Sequence, residues 1–119
     1  MHSTALTVSA APVVEHLNSF TAAKIRRERM RWFCLCQLDQ ARPEAMTDEA
    51  LLALVQAVYP DTSRTELRRE ADYLKMRELL MITVKGGVWH MKLTWQGIDI
   101  VEYTTSCPAG IGRPQQPEA

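Results

Sequence analysis

The sequence predicts a mainly α-helical domain with one small β-hairpin. Two stretches carry that prediction. In 60–80, Ser63 and Glu66 stand in capping-box spacing ahead of Leu67, Ala71 and Leu74, which recur at i, i+4 and i+7 as one apolar stripe. In 80–93, Leu80, Ile82 and Val84 alternate with Met81 and Thr83; after Gly86-Gly87, Trp89, Met91 and Leu93 alternate with Val88, His90 and Lys92. Two alternating runs across a Gly-Gly turn read as a hairpin.

The 119 residues suit a single domain with a real core. No run approaches the roughly 20 apolar residues of a membrane span, and 1–20 lacks the basic start and long apolar block of a signal peptide. Fourteen basic and fourteen acidic residues cancel, so attraction to nucleic acid has to come from local patches. Such patches exist. Lys24, Arg26, Arg27, Arg29 and Arg31 face only Glu28 within eight residues, whereas Asp39, Glu44, Asp48, Glu49 and Asp61 make the middle acidic. Three cysteines, two of them one residue apart, form no disulfide framework and fit a reducing cytoplasm.

Taken in order, 1–20 reads as a flexible N-terminal arm, with a short helix possible from Pro12. Thr21 is the expected N-cap of a first helix reaching about Ala41, with Ile25, Trp32, Leu35 and Cys36 on its buried side and the basic residues mostly elsewhere. Pro43 ends it by pushing Arg42 out of helical geometry. Thr47 caps a second helix over 48–59, with Asp48 and Glu49 in its first turn and a broad apolar face of Leu51, Leu52, Leu54, Val55 and Val58. Pro60 stops it, and the Ser63 helix follows. Thr94 caps a closing helix over 95–103, where Trp95, Ile98 and Val101 share a face and Gly97 signals close packing. The glycines and prolines of 104–119 make an extended C-terminal tail. Helix, helix, capped helix, hairpin, helix is a winged helix-turn-helix layout, with its domain over 21–103.

Ser63-Arg64 through Arg69, Leu74 with Leu79-Leu80, Trp89 and the Leu93-Thr94-x-x-Gly97 run are similar to winged-helix regulators of the ArsR and MarR type. With the tail from Cys107 to Pro114, the chain most resembles the small winged-helix proteins of Mu-like phages and prophages. The resemblance implies a DNA-binding transcriptional regulator acting as a homodimer in the cytoplasm of a bacterial host. Two departures matter. Glu78 stands where these families place a glycine after the reading helix. That helix also balances Arg64, Arg68, Arg69, Lys75 and Arg77 against Asp61, Glu66, Glu70, Asp72 and Glu78, so other parts of the chain must hold the DNA.

The candidate contacts with duplex DNA are Ser63, Arg64, Thr65, Arg68 and Arg69 at the groove, where arginine bonds a guanine edge bidentately. Lys85 and Lys92 on the wing, with Arg27 and Arg31 of the first helix, are candidates for phosphate contact. The plain alternative is a solvated helix face with Arg–Glu pairs one turn apart. Cys34-x-Cys36 resembles the thiolate pair of metal sensors, but residues i and i+2 lie about 200° apart on a helix, and buried apolar thiols are the default. No metal or cofactor is expected. The three tryptophans read as core rather than as a stacking platform, and His90 as exposed. Gly112-Arg113-Pro114 is half of a minor-groove hook or, more simply, part of a strap that packs Ile111. No phosphate-cradling loop, nucleophile elbow or paired-carboxylate motif is present, so catalysis is not expected. The alternative function is a winged-helix protein-interaction module, partnered by another phage protein in assembly or DNA packaging.

Overall fold

The computed structural model describes the backbone of residues 2–116 and the side chains of residues 18–116. Its elements are α1 (His2–Ala41), β1 (Met46–Thr47), α2 (Asp48–Gln56), α3 (Arg64–Met76), β2 (Leu80–Lys85), β3 (Val88–Leu93) and α4 (Trp95–Val101). Among the described residues, four helices accompany a three-stranded antiparallel sheet of order β1-β3-β2. Among the described residues no helix is long and apolar enough to cross a membrane.

Thr21 does not start the first helix. Backbone helix runs through 2–20 into α1, which leaves Thr21 inside it, where no extended residue precedes a cap. The short helix considered from Pro12 falls within this continuous helix, which also takes in the stretch read as an arm. The inner face of α1 is also turned from the expected one. Met30, Cys34, Leu35 and Leu38 are buried, while Ile25 is exposed and Trp32 and Cys36 are half-buried. That rotation carries Arg31 inward.

Thr47 caps α2 by accepting from the Ala50 amide at 3.2 Å. The helix ends at Gln56, three residues short of the expected Tyr59, and only Leu51 and Val55 of its apolar residues are fully buried. Leu54 and Val58 lie in solvent, so its apolar face is narrower than the sequence suggests.

Ser63 caps α3 through the Glu66 amide at 3.0 Å, and Leu67, Ala71 and Leu74 are fully buried, as the spacing predicts. The reciprocal half of the capping box is replaced. Both Glu66 oxygens accept from Arg26 of α1, at 2.9 and 3.0 Å. At its other end α3 closes in a Schellman turn. Glu78 donates to the Lys75 carbonyl (2.8 Å) and Leu79 to the Leu74 carbonyl (3.0 Å). Glu78 sits at φ 62°, so the left-handed residue is present with glutamate in the place where glycine is usual.

The hairpin forms in the expected register, Leu80 opposite Leu93 and Lys85 opposite Val88, around Gly86 and Gly87 with φ of 57° and 78°. Both positive angles match a type I′ turn. Strand β1 is new: Met46 pairs with Met91 and Thr47 with His90. Two residues are too few to show an alternation in sequence. Met91, Leu93, Leu79 and Leu80 close the core from the sheet side.

In α4 the buried residues are Gly97 and Ile100; Ile98 and Val101 are half-buried, and Trp95 is 78 % exposed. The expected Trp95 face is therefore not the core face. Trp32 and Trp89 are half-buried. The tail packs as a strap over its described part, 104–116. Ile111 is buried, the Gly112 amide donates to the Glu28 carbonyl at 2.9 Å, and Tyr103 donates to the Pro114 carbonyl at 2.8 Å.

Candidate nucleic-acid interface

The apolar stripe fixes how α3 presents its other side chains. With 3.6 residues per turn, Thr65, Arg69, Asp72 and Met76 fall about opposite the Leu67–Ala71–Leu74 stripe, and all four are exposed. Arg69 makes no ion pair among the described residues. Arg64 reaches only a long, exposed contact with Glu49 at 3.5 Å, which holds it weakly. Ser63 is exposed, and its hydroxyl serves the helix cap.

Arg68 stands differently. Its Nε donates to Asp48 Oδ2 at 2.8 Å, its Nη2 donates to the Gly87 carbonyl at 2.6 Å, and its guanidinium lies 4.8 Å from the centre of the Trp89 ring. It does not reach outward as a base reader, because its donors tie α3 to α2 and to the hairpin turn. Asp48 completes that junction by accepting from the Trp89 amide at 3.1 Å. The hairpin is thereby pinned beside the exposed face of α3.

Asp48 is 1 % exposed. Burial pushes its carboxyl up, but the hydrogen bonds from Arg68 and the Trp89 amide outweigh that and hold it below the usual carboxylate range. A lowered folded pKa means that the stabilisation is complete above the unfolded value of about 3.9 and is lost as pH falls through the folded one. Asp48→Asn is expected to cost about 2 kcal/mol at pH 7, as charge-assisted bonds to a buried group are lost. The gap from the native chain should narrow below about pH 4. Urea unfolding at pH 7 and pH 3 checks both, and an equal gap at the two pH values would refute the assignment.

Lys85 and Lys92 are exposed, and strand alternation sets them on the same outer sheet face as Met81, Thr83 and His90. Arg68 lies over Trp89, on the opposite face. Lys85 adjoins the hairpin turn. Lys92 instead borders a groove of about 380 Å³ with Arg42, Met81 and Trp95. His90 is half-buried.

Arg27 is exposed and unpaired among the described residues, whereas Arg31 is only 9 % exposed. Arg31 Nε donates to Glu70 Oε1 at 2.7 Å, its Nη1 to the Gly110 carbonyl at 2.8 Å, and its guanidinium stacks 3.4 Å from the centre of the Tyr73 ring. Glu70 pulls it inward: a buried carboxylate on α3 requires a cation at the same height. Arg31 is thereby neutralised by Glu70 and brings no free charge to a DNA backbone.

Two arginines take partners that the sequence did not indicate. Arg26 grips Glu66 and, at 2.9 Å, Asp61, and so fixes the start of α3 against α1. Arg113 donates to the Ile100 and Thr105 carbonyls at 3.0 and 2.9 Å while lying over Tyr103, so it holds the end of α4 and is not a free hook. Their signal in sequence was only charge, and a charge does not name its partner.

Cys34 is fully buried and its thiol is pushed up to about 12 by desolvation, then by Glu70. Cys36, half-buried, is pushed up to about 11, again first by desolvation. Neither supplies a ready thiolate, and among the described residues no third ligand joins them. Comparison of the chain with family models, with curated proteins and with solved structures gives no match in any of the three.

Proposed function

We propose that the domain is a winged helix that binds duplex DNA, with α3 as its reading helix and the β2–β3 hairpin as its wing. The observation that carries this reading is the Arg68 junction: one side chain bonds the hairpin turn at Gly87 and the first turn of α2, beside an exposed α3 face bearing Thr65 and Arg69. A helix presented between a preceding helix and a fixed hairpin suits the major groove. Arg69 and Arg64 are the base-reading candidates, Lys85 and Arg27 the backbone candidates, and Arg68 the residue that positions the wing. A role in regulating phage or prophage transcription rests on the resemblance of the sequence motifs.

Mobility-shift titration at two salt concentrations tests the proposal. Retardation should weaken as salt rises, because bound phosphates release counterions. Arg69→Ala should cost about 1–3 kcal/mol on a specific site. Lack of retardation of any duplex at low salt would refute it.

The second reading, a protein-interaction module, is favoured by the exposed apolar group on the outer sheet and α4, where Trp95 is 78 % and Met81 53 % exposed. The same group is the candidate contact for a homodimer. The tail is less suited to a partner than the sequence suggests, because Ile111 and Arg113 already engage this domain. Recovery of a phage protein that survives high salt and is lost in Trp95→Ser would favour this reading over DNA.

A further inference from the structure

We infer that the notch between α1, α3 and the tail is a seat for a phosphate group. It offers about 400 Å³, open to solvent, and is lined by Lys24, Arg27 and Arg31 of α1, Tyr73 and Arg77 at the end of α3, and the tail at Gly110, with Glu28 as its one carboxylate. Lys24, Arg27 and Arg31 reach it together because they recur at i, i+3 and i+7 on one helix face.

The charge in the notch is unbalanced. Arg31 and Arg77 both stack on the Tyr73 ring, 3.4 and 3.5 Å from its centre. Arg31 is neutralised by Glu70. Arg77 has no such partner among the described residues, and neither do Lys24 and Arg27. Stacking occupies the face of the Arg77 guanidinium and leaves its in-plane N–H fork open, the geometry that suits a phosphate oxygen pair. An anion between these groups relieves the repulsion among cations that the fold holds close together.

The notch is also built rather than incidental. Arg31 holds the Gly110 carbonyl at 2.8 Å, and Gly110 has φ 96° with the Tyr73 hydroxyl where a Cβ would stand. The tail therefore closes one wall at a position only glycine fits. The volume exceeds what one phosphate needs and leaves room for the group that carries it. A free phosphate ester and the backbone of a duplex offer the same chemistry.

The seat is tested without reference to sequence-specific DNA binding. Amide and arginine N–H resonances of the full chain are followed by NMR with inorganic phosphate and with adenosine monophosphate, at ionic strength held constant with chloride. A saturable shift at Gly110 and Arg77 is expected. Arg27→Gln and Arg77→Gln should each weaken it about tenfold, and Arg69→Gln should leave it unchanged. Retardation of a random-sequence duplex by the same variants then separates the sources. Loss of duplex affinity beside loss of phosphate binding assigns the seat to backbone phosphate. Unaffected duplex binding, or none in any variant, assigns it to a free ester and leaves the seat standing. Shifts that never saturate, or that persist in Arg27→Gln and Arg77→Gln, overturn it.

Discussion

Replacing Arg31 with methionine is expected to lower the unfolding free energy by about 3–5 kcal/mol, because it leaves a buried carboxylate without its cation. Glu70 is 1 % exposed, and its Oε2 has no hydrogen-bond partner among the described residues. Its Oε1 depends on Arg31 at 2.7 Å. The same substitution releases the tail, since Arg31 also holds the Gly110 carbonyl, and removes the cation stacked on Tyr73. Desolvation, not the pair attraction, sets the size of the effect. The double change Arg31→Met/Glu70→Leu removes the buried charge as well and should recover most of the loss. Urea denaturation midpoints, with unchanged slopes, measure both variants. A loss below about 1 kcal/mol in the single variant would refute the burial cost assigned to Glu70.

The second large effect is expected at Gly97. Alanine there should destabilise by about 3 kcal/mol, at the upper end of overpacking costs. Its Cβ would collide with the Leu79 carbonyl oxygen and press on a Leu93 methyl. Main chain cannot swing aside as a side chain can, and this carbonyl is already fixed by the Thr94 amide at 3.1 Å. Thr94 in turn caps α4 through the Gly97 amide and donates to the Glu78 carbonyl at 2.6 Å. The collision therefore lands where α3, β2 and α4 meet. Gly86→Ala supplies the contrast: nothing lies within 4 Å of its Cβ, so only the positive φ opposes the change. That should cost about 1 kcal/mol. Thermal or urea unfolding of the two variants ranks them, and equal losses would show that crowding at Gly97 is relieved by movement of α4.

The wing and the cap were legible for the same reason: each is decided within a few residues. Ser63, Thr47 and Thr94 cap as expected because a hydroxyl three residues ahead of an amide meets it whenever the intervening turn is helical. The Gly86-Gly87 turn and the period-2 alternation fix the hairpin register. Gly97 was marked for close packing by its cost within a helix, and the Leu79 carbonyl is what it packs against.

The rotation of α1 was not legible. Its 24–38 segment carries apolar residues around much of the helix, and either Trp32 with Cys36 or Met30 with Leu38 makes a plausible inner face. Glu70 across the interface selects between them by drawing Arg31 inward, so a residue 39 positions away decides which basic side chains remain at the surface. The candidate site changed accordingly. Arg64, Thr65 and Arg69 stay exposed, Arg68 becomes the tie between α3 and the hairpin, and Arg31 becomes core.

By itself, then, the sequence determined the order of the helices and the hairpin, the three caps, the hairpin register and the buried stripe of α3, all of which depend on spacing along the chain. Only the tertiary structure decided the pairing of the arginines: Arg26 with Glu66, Arg31 with Glu70, Arg68 with Asp48 and Arg113 with the end of α4. A charge acts through space on whatever the fold brings near, and spacing along the chain carries no record of those partners.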